Sequence, residues 1–120
     1  MTTGNAFDPT CATRTVLDRI GDKWSVLVLL ALKDGRLRFT EIKRCIGGVT
    51  PKVLTATLRA MERDGLLTRE IFAEVPPRVE YELTKLGRSL GTPLATLTKW
   101  AESNVAEILA ARDRHDLDHG

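Results

Sequence analysis

The chain has 120 residues, enough for one domain; 42% are hydrophobic and 28% charged, the balance of an ordinary soluble globular protein rather than a disordered one. The longest apolar stretch, residues 26–32, is too short to span a bilayer, and no basic-then-apolar leader opens the chain, so a cytoplasmic protein off the membrane is expected. Two cysteines, Cys11 and Cys45, cannot make a disulfide scaffold, and the net charge of +2 says little until it is mapped along the chain.

Residues 1–10 are polar and read as a loose arm. A short helix is expected over 11–20, ended by Gly21. Asp22 then caps a helix over 23–33 whose sequence is apolar nearly all round, which places it at the centre of a domain. Asp34-Gly35 stops it. Residues 36–38 suit a short strand. Residues 39–46 follow as a helix with Phe39, Ile42 and Ile46 on one face. Gly47-Gly48 makes a sharp turn.

Thr50-Pro51 is a strong helix start, N-cap followed by proline in the first helical position. The helix runs to Arg63 with an apolar stripe of Leu54, Leu58 and Met61, supported by Val53, and Gly65 closes it. Residues 66–72 have β character. Pro76-Pro77 breaks the ladder, and 79–83 alternate apolar and acidic residues as a half-buried strand does. Two strands around a proline-rich tip make a hairpin wing. Thr84 caps a further helical segment. Thr92-Pro93 opens a last helix carrying Leu94, Leu97, Ala101, Val105 and Ile108 at three- and four-residue spacing. One small wing and three short helices cannot cover that stripe, so a second copy is expected on it. The domain is expected to span 11–112, with 113–120 a frayed acidic tail. The fold class is mainly α with a small β wing: a winged helix-turn-helix.

Charge is uneven along this layout. Residues 36–69 carry eight basic side chains against three acidic ones, whereas 101–120 carry five acidic against two basic. A basic middle suits a polyanion. Lys52, Thr55, Ala56, Arg59 and Arg63 project together from the face of the 51–63 helix opposite its apolar stripe. Lys and Arg reach phosphate or guanine, Thr bonds several base edges, and Ala meets a thymine methyl. The free N–H groups near Thr50 favour a phosphate. The candidate DNA-binding set is therefore Arg38, Thr50, Pro51, Lys52, Thr55, Ala56, Arg59, Arg63 and, on the wing, Arg78. Enzyme readings find no P-loop, no dinucleotide fingerprint and no nucleophile–base set. No catalytic residue, cofactor or metal is expected; His115 and His119 sit with Asp116 and Asp118 in the tail without a supporting ligand set.

The chain resembles the HxlR-type winged-helix regulators. The resemblance rests on Cys11, Leu17-Asp18, Ile20-Gly21, Lys23-Trp24, Asp34-Gly35, Arg38-Phe39 and Glu41-Ile42. It continues through residues 50–55 (TPKVLT), Leu58-Arg59, Asp64-Gly65-Leu66, residues 74–81 (EVPPRVEY), Leu83-Thr84 and Leu86-Gly87-Arg88. The resemblance implies a homodimeric DNA-binding regulator held by the first and last helices, a reading helix that begins at Thr50 and a wing carrying Arg78; two-fold symmetry of the protein then leads to the expectation of an inverted-repeat duplex operator. It also implies that Cys11 stands where some members sense oxidants or electrophiles. Ala12 stands where the family often has proline, and Ala56-Thr57 where it often has Gln-Arg. Two readings of Cys11 stay open: a thiol activated at a helix start, or a small structural residue of a regulator governed by a small molecule or protein partner. Cys45, Trp24 and Trp100 are expected as packing or interface residues.

Overall fold

A computed structural model of the chain describes residues 4–119. In chain order it contains α1 (Thr13–Gly21), α2 (Lys23–Leu32), β1 (Leu37–Arg38), α3 (Phe39–Cys45), α4 (Pro51–Arg63), β2 (Leu67–Phe72), β3 (Arg78–Leu83), α5 (Lys85–Ser89) and α6 (Gly91–His119). The strands form one antiparallel sheet in the order β1-β3-β2, with Leu37 opposite Tyr81 and Leu67 opposite Leu83. This is a winged helix-turn-helix: α3 and α4 are the helix pair, and the β2–β3 hairpin is the wing.

The apolar α2 lies at the centre, packed against α1, α3, α4, α6 and β3. Its Val28, Leu29 and Leu32 join Ile42 and Ile46 of the α3 segment, Leu54, Leu58 and Met61 of α4, and Leu67 and Leu83 of the wing base in one core. Asp22 precedes α2, but its carboxylate accepts the hydroxyl of the buried Ser25 (3.1 Å) rather than a backbone N–H. That bond satisfies the one polar side chain that α2 buries.

The two ends of the chain differ from the sequence expectation. The loose arm was expected over 1–10; residues 1–3 lie outside the described residues, and 5–11 form hydrogen-bonded turns. Asp8 accepts the backbone N–H and hydroxyl of Thr10, while Arg14 donates to the carbonyls of Ala6 and Phe7. Those turns hold Cys11 out of α1, which begins at Thr13. At the other end, α6 continues to His119 instead of fraying after residue 112; Gly120 lies outside the described residues. The physical reason is in the composition: after Pro93 no glycine or proline interrupts the run.

Only Leu94 of α6 is buried in this chain. Leu97, Trp100, Val105 and Leu109 are each at least half exposed, as is Val16 of α1. The radius of gyration is 17.5 Å, against about 14 Å for a compact chain of this length. The excess is the long α6 rod, whose apolar side beyond Leu94 lies largely open among the described residues.

Candidate nucleic-acid interface

The turn into α4 is built by Gly48, whose φ of +84° is strained for any residue with a Cβ. Thr50 then caps the helix, its hydroxyl oxygen accepting the Val53 N–H at 3.2 Å, and Pro51 takes the first helical position. Leu54, Leu58 and Met61 point into the core, so the opposite face is set outward. Thr57 is buried with them, its hydroxyl donating to the Val53 carbonyl (2.9 Å). It belongs to the packed back of the helix, not to the face that Ala56 lies on.

Lys52, Ala56, Arg59 and Arg63 are exposed along the front of α4, with Thr55 half-buried at its edge. From Lys52 to Arg63 this front is about 16 Å long at the helical rise per residue. Lys52, Arg59 and Arg63 form no ion pair among the described residues, and neither do Arg38, Lys43 or Arg44. Arg38 sits where β1 passes into α3; its backbone N–H donates to the Glu41 carboxylate (2.9 Å), leaving the guanidinium outside that cap. The structure thus brings Thr50, Pro51, Lys52, Ala56, Arg59 and Arg63 onto one helix, with Thr55 less open than expected. Lys43 and Arg44, exposed in the last turn of α3, are further cations beside the turn. Their place at the end of an amphipathic helix was the signal available in the sequence.

The wing is different. Arg36 donates to Glu82 (3.2 Å), Glu70 (3.0 Å) and Glu80 (3.4 Å), and these carboxylates, Glu82 first and then Glu70, raise its already high pKa. Its charge belongs to the sheet rather than to a polyanion. Arg78 is half-buried: its guanidinium lies 4.0 Å from the centre of the Phe72 ring, Nη2 is 3.1 Å from Glu74 and Nε is 3.5 Å from Glu80. The cleft between the wing tip and the start of α3 measures about 370 Å3 and has Arg38 and Thr40 on one side, Glu74 and Arg78 on the other. This face of the wing carries two guanidiniums and four carboxylates.

Cys11 stands apart from this surface. Its Sγ accepts the backbone N–H of Asn5 (3.3 Å) and lies 3.1 Å from the Thr13 hydroxyl. These bonds, the Asn5 N–H foremost, pull the thiol down to about 7, because each stabilises the thiolate. Cys45, expected as a packing residue, is exposed at the end of α3.

The chain belongs to the family described as HxlR-like helix-turn-helix, whose pattern matches residues 19–108. It is 46% identical over 110 residues to the HTH-type transcriptional regulator YtfH of Escherichia coli (strain K12), covering 92% of this chain and 87% of that one. The solved structure of the transcriptional regulator YtfH from Salmonella typhimurium matches with a TM-score of 0.85 and 43% identity, over 92% of this chain and 99% of that chain. The redox regulator HypR in its oxidized form matches with a TM-score of 0.72 and 40% identity, over 78% and 97% of the two chains. These proteins are transcriptional regulators, not enzymes, and this chain is a regulator of the helix-turn-helix type. Among the described residues no helix is long and apolar enough to cross a membrane.

Proposed function

We propose that this protein binds duplex DNA sequence-specifically as a homodimer, inserting one α4 into each of two successive major-groove segments of an inverted repeat. The observation that carries this reading is the front of α4, where Lys52, Arg59 and Arg63 stand exposed over a buried apolar back and form no ion pair among the described residues. Free cations release condensed counterions from DNA; paired ones do not. Arg38 and Arg78 line the cleft between the wing tip and the start of α3, suited to phosphates beside each half-site. The second copy covers the apolar sides of α1 and α6. In this reading the protein works in the cytoplasm, on the nucleoid.

Selection from random duplexes should recover a pseudo-palindrome with half-sites about one helical turn, ~34–36 Å, apart. Binding to it should weaken steeply as salt rises. Recovery of asymmetric or unrelated sequences, with affinity indifferent to salt, would sink the proposal.

A second reading concerns the signal. The Cys11 thiol is lowered to about 7, and the redox regulator HypR is 40% identical to this chain. Thiolate is the nucleophile toward oxidants and electrophiles. A lowered thiol pKa enlarges the thiolate fraction at neutral pH relative to an ordinary cysteine. The sign is that acidification protonates Cys11 and slows its reaction. Alkylation by iodoacetamide should titrate with a midpoint near 7, and Thr13→Ala should move that midpoint upward. Diamide should change operator binding of the wild type and not of Cys11→Ser. A midpoint in the ordinary thiol range, with equal diamide responses, leaves Cys11 a structural residue and moves the signal to a small molecule or a protein partner.

A further inference from the structure

We propose that Glu74 is an intramolecular competitor for the wing arginine, an acidic side chain that occupies Arg78 in the free protein and limits its hold on a DNA phosphate. The inference rests on the reading of Arg78 as a DNA contact.

Three groups surround the Arg78 guanidinium: the Phe72 ring beneath it, Glu80 and Glu74. They are not equally displaceable. The Glu80 carboxylate is only 14% exposed and is shared with Arg36, which holds its other oxygen at 3.4 Å. It is part of the sheet. The Glu74 carboxylate is 51% exposed and reaches Arg78 from the far side of the proline tip, four residues back in the chain. An anion arriving from solvent meets Glu74 first.

The donors of Arg78 differ in access. Its Nε is buried but has no hydrogen-bond partner, because Glu80 lies 3.5 Å away without the alignment a bond requires. That donor is closed to solvent, so an arriving bidentate acceptor must engage the terminal nitrogens, Nη2 among them, where Glu74 now sits. Phosphate is such an acceptor, and an exposed ion pair such as Arg78–Glu74 resists displacement weakly. Once displaced, however, the Glu74 carboxylate remains beside the phosphates and repels them. Glu74 therefore acts twice against affinity, first by occupying the cation and then by facing the anion.

The test uses the full chain and a duplex carrying the selected inverted repeat, with affinity followed across a salt series. Glu74→Gln keeps the shape of the side chain and should tighten binding by about three- to tenfold, with the slope of log K against log salt steeper by about 0.9. Glu70→Gln makes the same change of charge on the same face, but Glu70 serves Arg36; its effect should stay within about twofold, the scale of an exposed pair. Arg78→Gln should weaken binding, and in that background Glu74→Gln should give no gain. Equal effects of the two glutamate variants, or a Glu74→Gln gain that persists without Arg78, overturn the competitor while leaving the wing contact standing. An Arg78→Gln protein that folds and binds as the wild type does removes the wing contact itself, and the competitor with it.

Discussion

The front of α4 and the face of the wing are both rich in charged side chains, yet only one of them presents free charge. On α4, Lys52, Arg59 and Arg63 form no ion pair among the described residues, and the helix behind them is anchored by Leu54, Leu58 and Met61. On the wing, antiparallel pairing sets Glu70 directly opposite Glu80, with Glu82 two residues on along the same face. Arg36 and Arg78 are drawn into that cluster. Counting arginines along the chain treats the two surfaces alike. The difference lies in cross-strand register, which places carboxylates around one set of cations and not the other.

The comparison breaks most completely if the back of α4 is removed. Leu58 is 2% exposed in the middle of the core, so Leu58→Ala should cost about 2–5 kcal/mol of stability in a denaturant titration. The front should vanish as a binding surface with the fold. A neighbour one position on behaves differently. Arg59→Ala should leave the melting temperature nearly unchanged while lowering operator affinity. If Arg59 reads a guanine the cost is about 1–3 kcal/mol, confined to one operator position. If it meets a phosphate the loss is uniform across sequences and the salt slope falls by about one. Full affinity in that variant would contradict the assignment of α4 as the reading helix.

Smaller effects sharpen the same contrast. Thr50→Ala removes the hydroxyl that holds the Val53 N–H and should destabilise by about 1 kcal/mol in a thermal melt. It should also weaken DNA binding modestly, since the cap sets the start of the reading helix. On the wing, Arg36→Gln breaks three ion pairs of a solvent-facing guanidinium, two to exposed carboxylates and one to the largely buried Glu80. Pairs of this kind are individually worth about 0–1 kcal/mol, so only a small loss of stability is expected, with operator affinity close to wild type. A large loss of affinity there would mean that the wing face, not only α4, meets DNA through Arg36.

Much of the fold was legible because the signals were local. Thr50-Pro51 marks the start of α4, and the alternation of Val79, Tyr81 and Leu83 with acids marks β3. The uninterrupted apolar run of α2 marks the centre of the core. The misreadings have one origin, that side chains answer to partners remote in the chain or to turns the pattern does not show. Cys11 was expected inside the first helix but is held in the preceding turn by bonds from Asn5 and to Asp8. Cys45 was expected to pack, yet stands at a helix end on the exposed side. Thr55 was expected to project with Lys52 and Ala56, yet is half-buried at the edge of that face.

Periodicity and capping residues by themselves determined the order of elements, the central position of α2 and which face of α4 looks outward, because each depends on spacing along one segment. Only the tertiary structure decided which cations remain free. It placed Glu70, Glu80 and Glu82 around Arg36, set Arg78 between Phe72 and Glu74, and carried the apolar side of α6 beyond its own core. Ion pairing and cover depend on distance in space, and the register of two strands that begin eleven residues apart sets that distance.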